Sequence, residues 1–178
     1  DETTLTRLQH GPFAQVEATA CDVTQLNQVQ RLVLKCPWLR ALVHSVGVLS
    51  DALIENQQLT GFQKVTSPKA DGACHLLKLT QPTPLDCYVI YSSVAGVIGS
   101  PGQSPHASAN TVLDSLVQRL KVCGQAAVGL QWGAWSQIGY AARVGADTRA
   151  DKVNAMPSFG PAVGLRALAS AWSSLCTT

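Results

Sequence analysis

Charge is scarce in this sequence. Of 178 residues, 13% are Asp, Glu, Lys or Arg, and the net charge of +2 comes from lysines and arginines dispersed without a run. That excludes the basic stripe of a nucleic-acid footprint and a polybasic membrane patch, and leaves neutral molecules or protein surfaces as expected partners. No apolar run approaches the roughly 18 to 20 residues of a membrane span, and the opening DETTLTRL lacks the basic-then-apolar order of a signal peptide. The chain is therefore expected to be cytoplasmic. The cysteines Cys21, Cys36, Cys74, Cys87, Cys123 and Cys176 form no CxxC pair and no Cys/His cluster at metal spacing, so free thiols and no metal site are expected. What is present is apolar: a 46% hydrophobic share suits one packed domain over residues 1–178.

Two periods alternate along the chain. AQVEATACDV is a short β-rich run; TQLNQVQRLVLKC then sets Leu26, Val29, Leu32 and Val33 on one helical face, with Thr24 as the expected N-cap. LRALVHSVGV predicts a buried strand, and a helical stretch from about Leu59 to Leu79 follows, with an offset or break expected at Pro68. DCYVIYSSVAGV predicts the third strand. The next helix, about His106 to Val122, carries Val112, Leu113, Leu116, Val117 and Leu120 inward; AAVGLQWGAW predicts a fourth strand, and a last helix is expected over about 158–173. Strands alternating with helices of this length predict an α/β fold, a doubly wound parallel sheet.

Such sheets bind ligands at the carboxyl ends of their strands. The small and polar residues gather there: Cys21-Asp22-Val23 after the first strand, His44-Ser45-Val46-Gly47 after the second, Ser92-Ser93 after the third and Trp132-Gly133-Ala134-Trp135 after the fourth. Any one is explained as readily by a turn glycine, a helix-start carboxylate or a satisfied hydroxyl. Four in order point to a site.

The blocks LVHSVGVLSDALI, FQKVTSPKADGACHLLKLT, LDCYVIYSSVAGVIGSPGQ, HASANTVLDSL and LQWGAW together resemble the ketoreductase domains of modular type I polyketide synthases and animal-type fatty acid synthases, over about residues 8 to 172. Those domains belong to the short-chain dehydrogenase/reductase superfamily, so the resemblance implies a Rossmann-like fold of that type. It also implies NADPH as cofactor, an acyl carrier protein-bound β-ketoacyl thioester as substrate, and the other synthase domains as partners. Reducing the ketone requires hydride delivery, hydrogen bonds to the developing alkoxide and a proton for the oxygen. By resemblance Ser93 hydrogen-bonds the carbonyl, position 106 gives the proton, and Lys69 with Asn110 holds the cofactor ribose and proton relay. Asp22, Val23, His44, Ser45, Gly47, Lys69 and Gly133 are the implied cofactor residues.

The sequence departs from that pattern twice. The family has Tyr where this chain has His106, and an imidazole reaches roughly 2 Å less far than a phenol oxygen, whereas proton transfer needs heavy atoms within about 2.6 to 3.2 Å or one bridging water. No strand-GxGxxG-helix unit, the cradle for a cofactor pyrophosphate, occurs in the chain; Gly96, Gly99 and Gly102 belong to the loop between Ser93 and His106. The fold is therefore expected to lack the first strand and its glycine loop, and to leave apolar surface prone to self-association. Leu49-Ser50-Asp51 resembles the family's Leu-Asp-Asp motif with Asp51 kept, and no Trp occupies the loop before position 106, which implies the B-type product configuration. Residues 136–155 match the family's mobile substrate lid. Three readings stay open: a reductase with impaired chemistry, a non-catalytic structural domain within a synthase, and a cofactor-sensing domain without turnover.

Overall fold

The computed structural model describes residues 16–83, 85–138 and 157–176. Its centre is the segment CYVIYSS, which forms strand β2 (Cys87–Ser93) with Cys87 to Ile90 all buried. Burial at consecutive positions means cover on both faces, the condition of a strand inside a parallel sheet. Strand β1 (Ala41–His44) lies parallel on one side, Ala41 opposite Cys87, and strand β3 (Ala127–Trp132) parallel on the other, Ala127 opposite Tyr88. The order among the described residues is β1-β2-β3.

Helices fill the crossovers. Helix α1 (Leu26–Leu34) precedes β1, and α2 (Leu59–Thr66), a π-helical turn (Ser67–Asp71) and α3 (Gly72–Thr80) run continuously from β1 towards β2. After β2 come the single turn α4 (Ala95–Ile98) and the long α5 (Ser104–Val122); α6 (Pro161–Cys176) closes the described chain. The core lies between the sheet and helices α3 and α5, where Leu42, Tyr88 and Ile90 meet Ala73, Leu113 and Val117. Helix α6 reaches β3. Alternation along that strand turns Gly129 and Gln131 to α5 and Trp132 to the opposite face, where it joins an aromatic cluster with Trp135 and Phe159. Helix α5 stops at Gly124, whose φ of 74° suits a residue without Cβ, and Gln125 N–H donates back to Leu120 O at 2.9 Å.

Several expectations are corrected. Residues 16–22 form no strand, because β1 pairs only with β2 and no described strand lies beside them to supply a ladder. Thr24 does not cap α1; the cap position is Gln25, and the Thr24 amide and hydroxyl donate to Asp22 Oδ1 at 2.9 and 2.8 Å, an Asx turn. Leu26 and Val112 are 38% and 42% exposed, since Leu26 opens its helix and Val112 lies beside, not on, the stripe of Leu113, Leu116, Val117 and Leu120. The last helix begins at Pro161 because Phe159 is held extended beside Trp135 by Phe159 N–H to Ala134 O and Ser136 N–H to Phe159 O. Of the expected lid, residues 139–155 lie outside the described residues.

Gly164 sits directly under the Trp135 ring, and a Cβ there would collide with three of its carbons. Gly164→Ala is expected to lower unfolding free energy by about 1–3 kcal/mol, read as a reduced urea midpoint, despite the better helix propensity of alanine.

Candidate active site

Pro68 has no N–H to give the helical ladder, and the chain answers with the π-helical turn of Ser67–Asp71 in place of a regular one. The wider turn carries Lys69 inward, where only 5% of it is exposed. The Lys69 ammonium donates to Tyr91 O at 3.4 Å, and its own backbone carbonyl accepts from His44 Nε2 at 3.0 Å. Because a carbonyl only accepts, His44 is held with its proton on Nε2. Gly47 follows on the β1 loop, where an added Cβ would already touch the Lys69 side chain at 3.6 Å. Burial lowers the Lys69 pKa to about 8 against the opposing pull of Asp114, and lowers that of His44 as well.

Helix α5 supplies the other half. Pro105 in its first turn suits a helix start, and the first turns bring His106 and Asn110 one above the other. Asn110, wholly buried, donates from Nδ2 to His106 O at 2.7 Å, and its backbone carbonyl accepts from Ser92 Oγ at 3.3 Å. Two buried atoms here find no hydrogen-bond partner, His106 Nδ1 and Asn110 Oδ1. Each costs about 1–3 kcal/mol while unsatisfied, so the site favours a ligand that brings hydroxyl groups. The His106 pKa falls to about 4 through burial and the neighbouring Lys69 ammonium, with Asp51 opposing. At neutral pH the ring carries no charge and has no acidic proton to give.

The structure thus joins Lys69, His44, Gly47, His106 and Asn110, while the remaining expected residues stand apart or are engaged. The Ser93 hydroxyl donates to Trp132 O at 3.3 Å and accepts from Ala95 N–H at 3.2 Å, tying the start of α4 to β3. Ser45 is exposed on the β1 loop. Gly133 lies against the Phe159 ring, and Asp22 holds its Asx turn, which keeps its carboxyl below the ordinary value. Val23 packs over Gly72 and accepts from His75 Nδ1 at 3.0 Å. Asp51 accepts from Gln103 Nε2 at 2.9 Å, while Ala52 N–H donates to Gly102 O at 2.9 Å, so the Leu49-Ser50-Asp51 loop is stapled to the loop before α5. Gln103 was not legible as a site residue, because it stands at no motif position. The described residues contain no group of three or more His, Cys, Asp or Glu able to hold a metal ion, and no helix long and apolar enough to cross a membrane.

A parallel sheet with helical crossovers, Ser93 ending its central strand and Lys69 and Asn110 on the flanking helical segments, has the Rossmann-like arrangement of the short-chain reductases. The chain belongs to the KR (ketoreductase) domain family, which it matches over residues 1–137. It is 39% identical over 127 residues to the spectinabilin polyketide synthase system protein NorB of Streptomyces orinoci, covering 70% of this chain and 6% of that protein. It is 37% identical over 131 residues to the mellein synthase of Phaeosphaeria nodorum, covering 72% and 7%. Among solved structures, the first ketoreductase of the tylosin polyketide synthase superimposes with a TM-score of 0.87 at 32% identity, over 98% of this chain and 38% of that one. An A1-type ketoreductase does so at 0.81 and 31%, over 87% and 33%. The chain therefore spans a small fraction of the synthases it resembles and 33% and 38% of the two ketoreductase structures.

Both depressed histidines have a sign consequence. The folded state binds fewer protons than the unfolded chain between pH 4 and 6.5, the folded and reference values for His106, so stability rises with pH through that window and falls on acidification. The urea midpoint is expected to drop between pH 6.5 and 4.5, and to drop less in His106→Phe; an unchanged slope in the variant would show that the buried ring is not the group responsible.

Proposed function

We propose that this chain is the catalytic part of an NADPH-dependent β-ketoacyl reductase of a type I synthase, acting on a carrier-bound β-ketoacyl thioester, with its proton-donating step impaired. The observation that carries the reading is the convergence of Lys69, His106 and Asn110 around two unpaired buried polar atoms. Those atoms fit the hydroxyl-rich ribose of a nicotinamide nucleotide, with Lys69 and Asn110 as its holders. The cofactor, when bound, supplies hydride to the ketone carbon. Ser93 would orient the ketone oxygen, exchanging its bond to Trp132 O for one to the substrate. The developing alkoxide draws on the Lys69 ammonium for electrostatic support, about nine-tenths protonated at pH 7 for a pKa of about 8. His106 is the weak link, because its neutral ring is a poor acid and a short one.

The B-type product configuration is supported by Asp51 and by the loop before α5, which has no Trp; an A1-type ketoreductase shares the fold, so that part of the reading rests on loop residues alone. A non-catalytic structural role within a synthase is favoured by one feature, the neutral, buried His106 ring, which has no acidic proton to give. The other synthase domains are the partners in both readings.

The deciding experiment titrates NADPH fluorescence with the chain and with His106→Tyr, then follows NADPH oxidation on a β-ketoacyl thioester. Binding by both, with turnover about 10²–10⁴-fold faster in His106→Tyr, is the expected outcome, since that is the usual contribution of a positioned general acid. Equal turnover would overturn the impairment, and no binding by either would leave the structural role.

A further inference from the structure

At the opposite end of β2 from Ser93 a second concavity opens between α3 and α5, with a volume of about 320 Å³. That lies within the range of small-molecule sites. Its floor is Tyr88, a core residue only 2% exposed. A phenylalanine would fill the same space between Leu113 and Ala127, so the hydroxyl is what needs explaining. That hydroxyl has no hydrogen-bond partner among the described residues and is not sealed in the core, so it opens onto the groove. Leu77 of α3 and Leu116 of α5 provide apolar walls, while Lys78 and Arg119 stand at the rim, both free of ion pairs among the described residues. No carboxylate lines the cavity. An apolar interior, two unpaired cations and a buried donor make a complementary surface for an anion with a hydrophobic body.

We propose that this groove is a second ligand site for a small amphipathic carboxylic acid, its alkyl or aromatic body against Leu77 and Leu116 and its carboxylate among Lys78, Arg119 and the Tyr88 hydroxyl. Ser93 lies five positions beyond Tyr88 along the strand, about 16 Å at ~3.3 Å per residue, so the site is distinct from the reductase centre. Its occupancy does not depend on the chemistry at position 106.

Two thiols report on it. Cys74 and Cys123 line the groove and are exposed, whereas Cys36 is exposed elsewhere and serves as internal control. The experiment treats the full chain with iodoacetamide, with and without sodium octanoate, and maps alkylation by peptide mass spectrometry. Saturable protection of Cys74 and Cys123 of threefold or more, with Cys36 unchanged, is expected. Tyr88→Phe should raise the octanoate concentration needed about tenfold, the usual scale for a lost hydrogen bond to a charged group. Lys78→Gln with Arg119→Gln, both at exposed positions, should abolish protection. The proposal is overturned by no protection, by equal protection at Cys36, or by octan-1-ol protecting as well as octanoate.

Discussion

The hydrogen bond from His44 Nε2 to the Lys69 carbonyl, 3.0 Å long and buried, holds the candidate site together. It fastens the end of β1 to the π-helical turn, and that turn is what points Lys69 into the protein instead of into solvent. A lysine in a regular helix at this place would be one more exposed cation of a sparsely charged surface. The displaced ladder at Pro68 and the buried imidazole act as one device: the proline opens the turn, and the histidine pins it open. Everything that Lys69 then does, from its lowered pKa to its field at His106, follows from that placement.

The burial that lowers the Lys69 pKa acts on His106 as well. Desolvation lowers the pKa of both bases, and the Lys69 ammonium further disfavours the imidazolium of His106. A tyrosine in position 106 would gain acidity from the nearby ammonium, since the ammonium stabilises phenolate, whereas a histidine loses its proton to the same field. Histidine and tyrosine at this position thus respond to the Lys69 charge with opposite sign.

Much of this was legible in the sequence where one physical signal dominated. The continuous apolar run CYVIYSS could only be a covered strand, and Pro68 marked the helix irregularity that carries Lys69. The stripe of α5 was legible too, apart from Val112 at its margin. The β-rich run at 16–22 misled because strand propensity is realised only beside another strand, and the described sheet offers it none. Thr24 misled for a local reason: Asp22 competes for its hydroxyl and amide more closely than the helix does. Contacts between distant loops, such as Gln103 with Asp51, left no periodic trace and needed coordinates.

Ser93 joins the start of α4 to the backbone of β3, Asn110 fills a sealed position in α5, and Lys69 closes the space beside Gly47. Ser93 is therefore also held by the demands of folding, whereas burial of the Lys69 ammonium opposes them, as its lowered pKa records. A lineage that stopped using this chemistry would keep the serine for stability and be free to exchange the lysine for an apolar residue. Part of the motif would outlive the reaction, and positions 69 and 106 are where such disuse would become visible first.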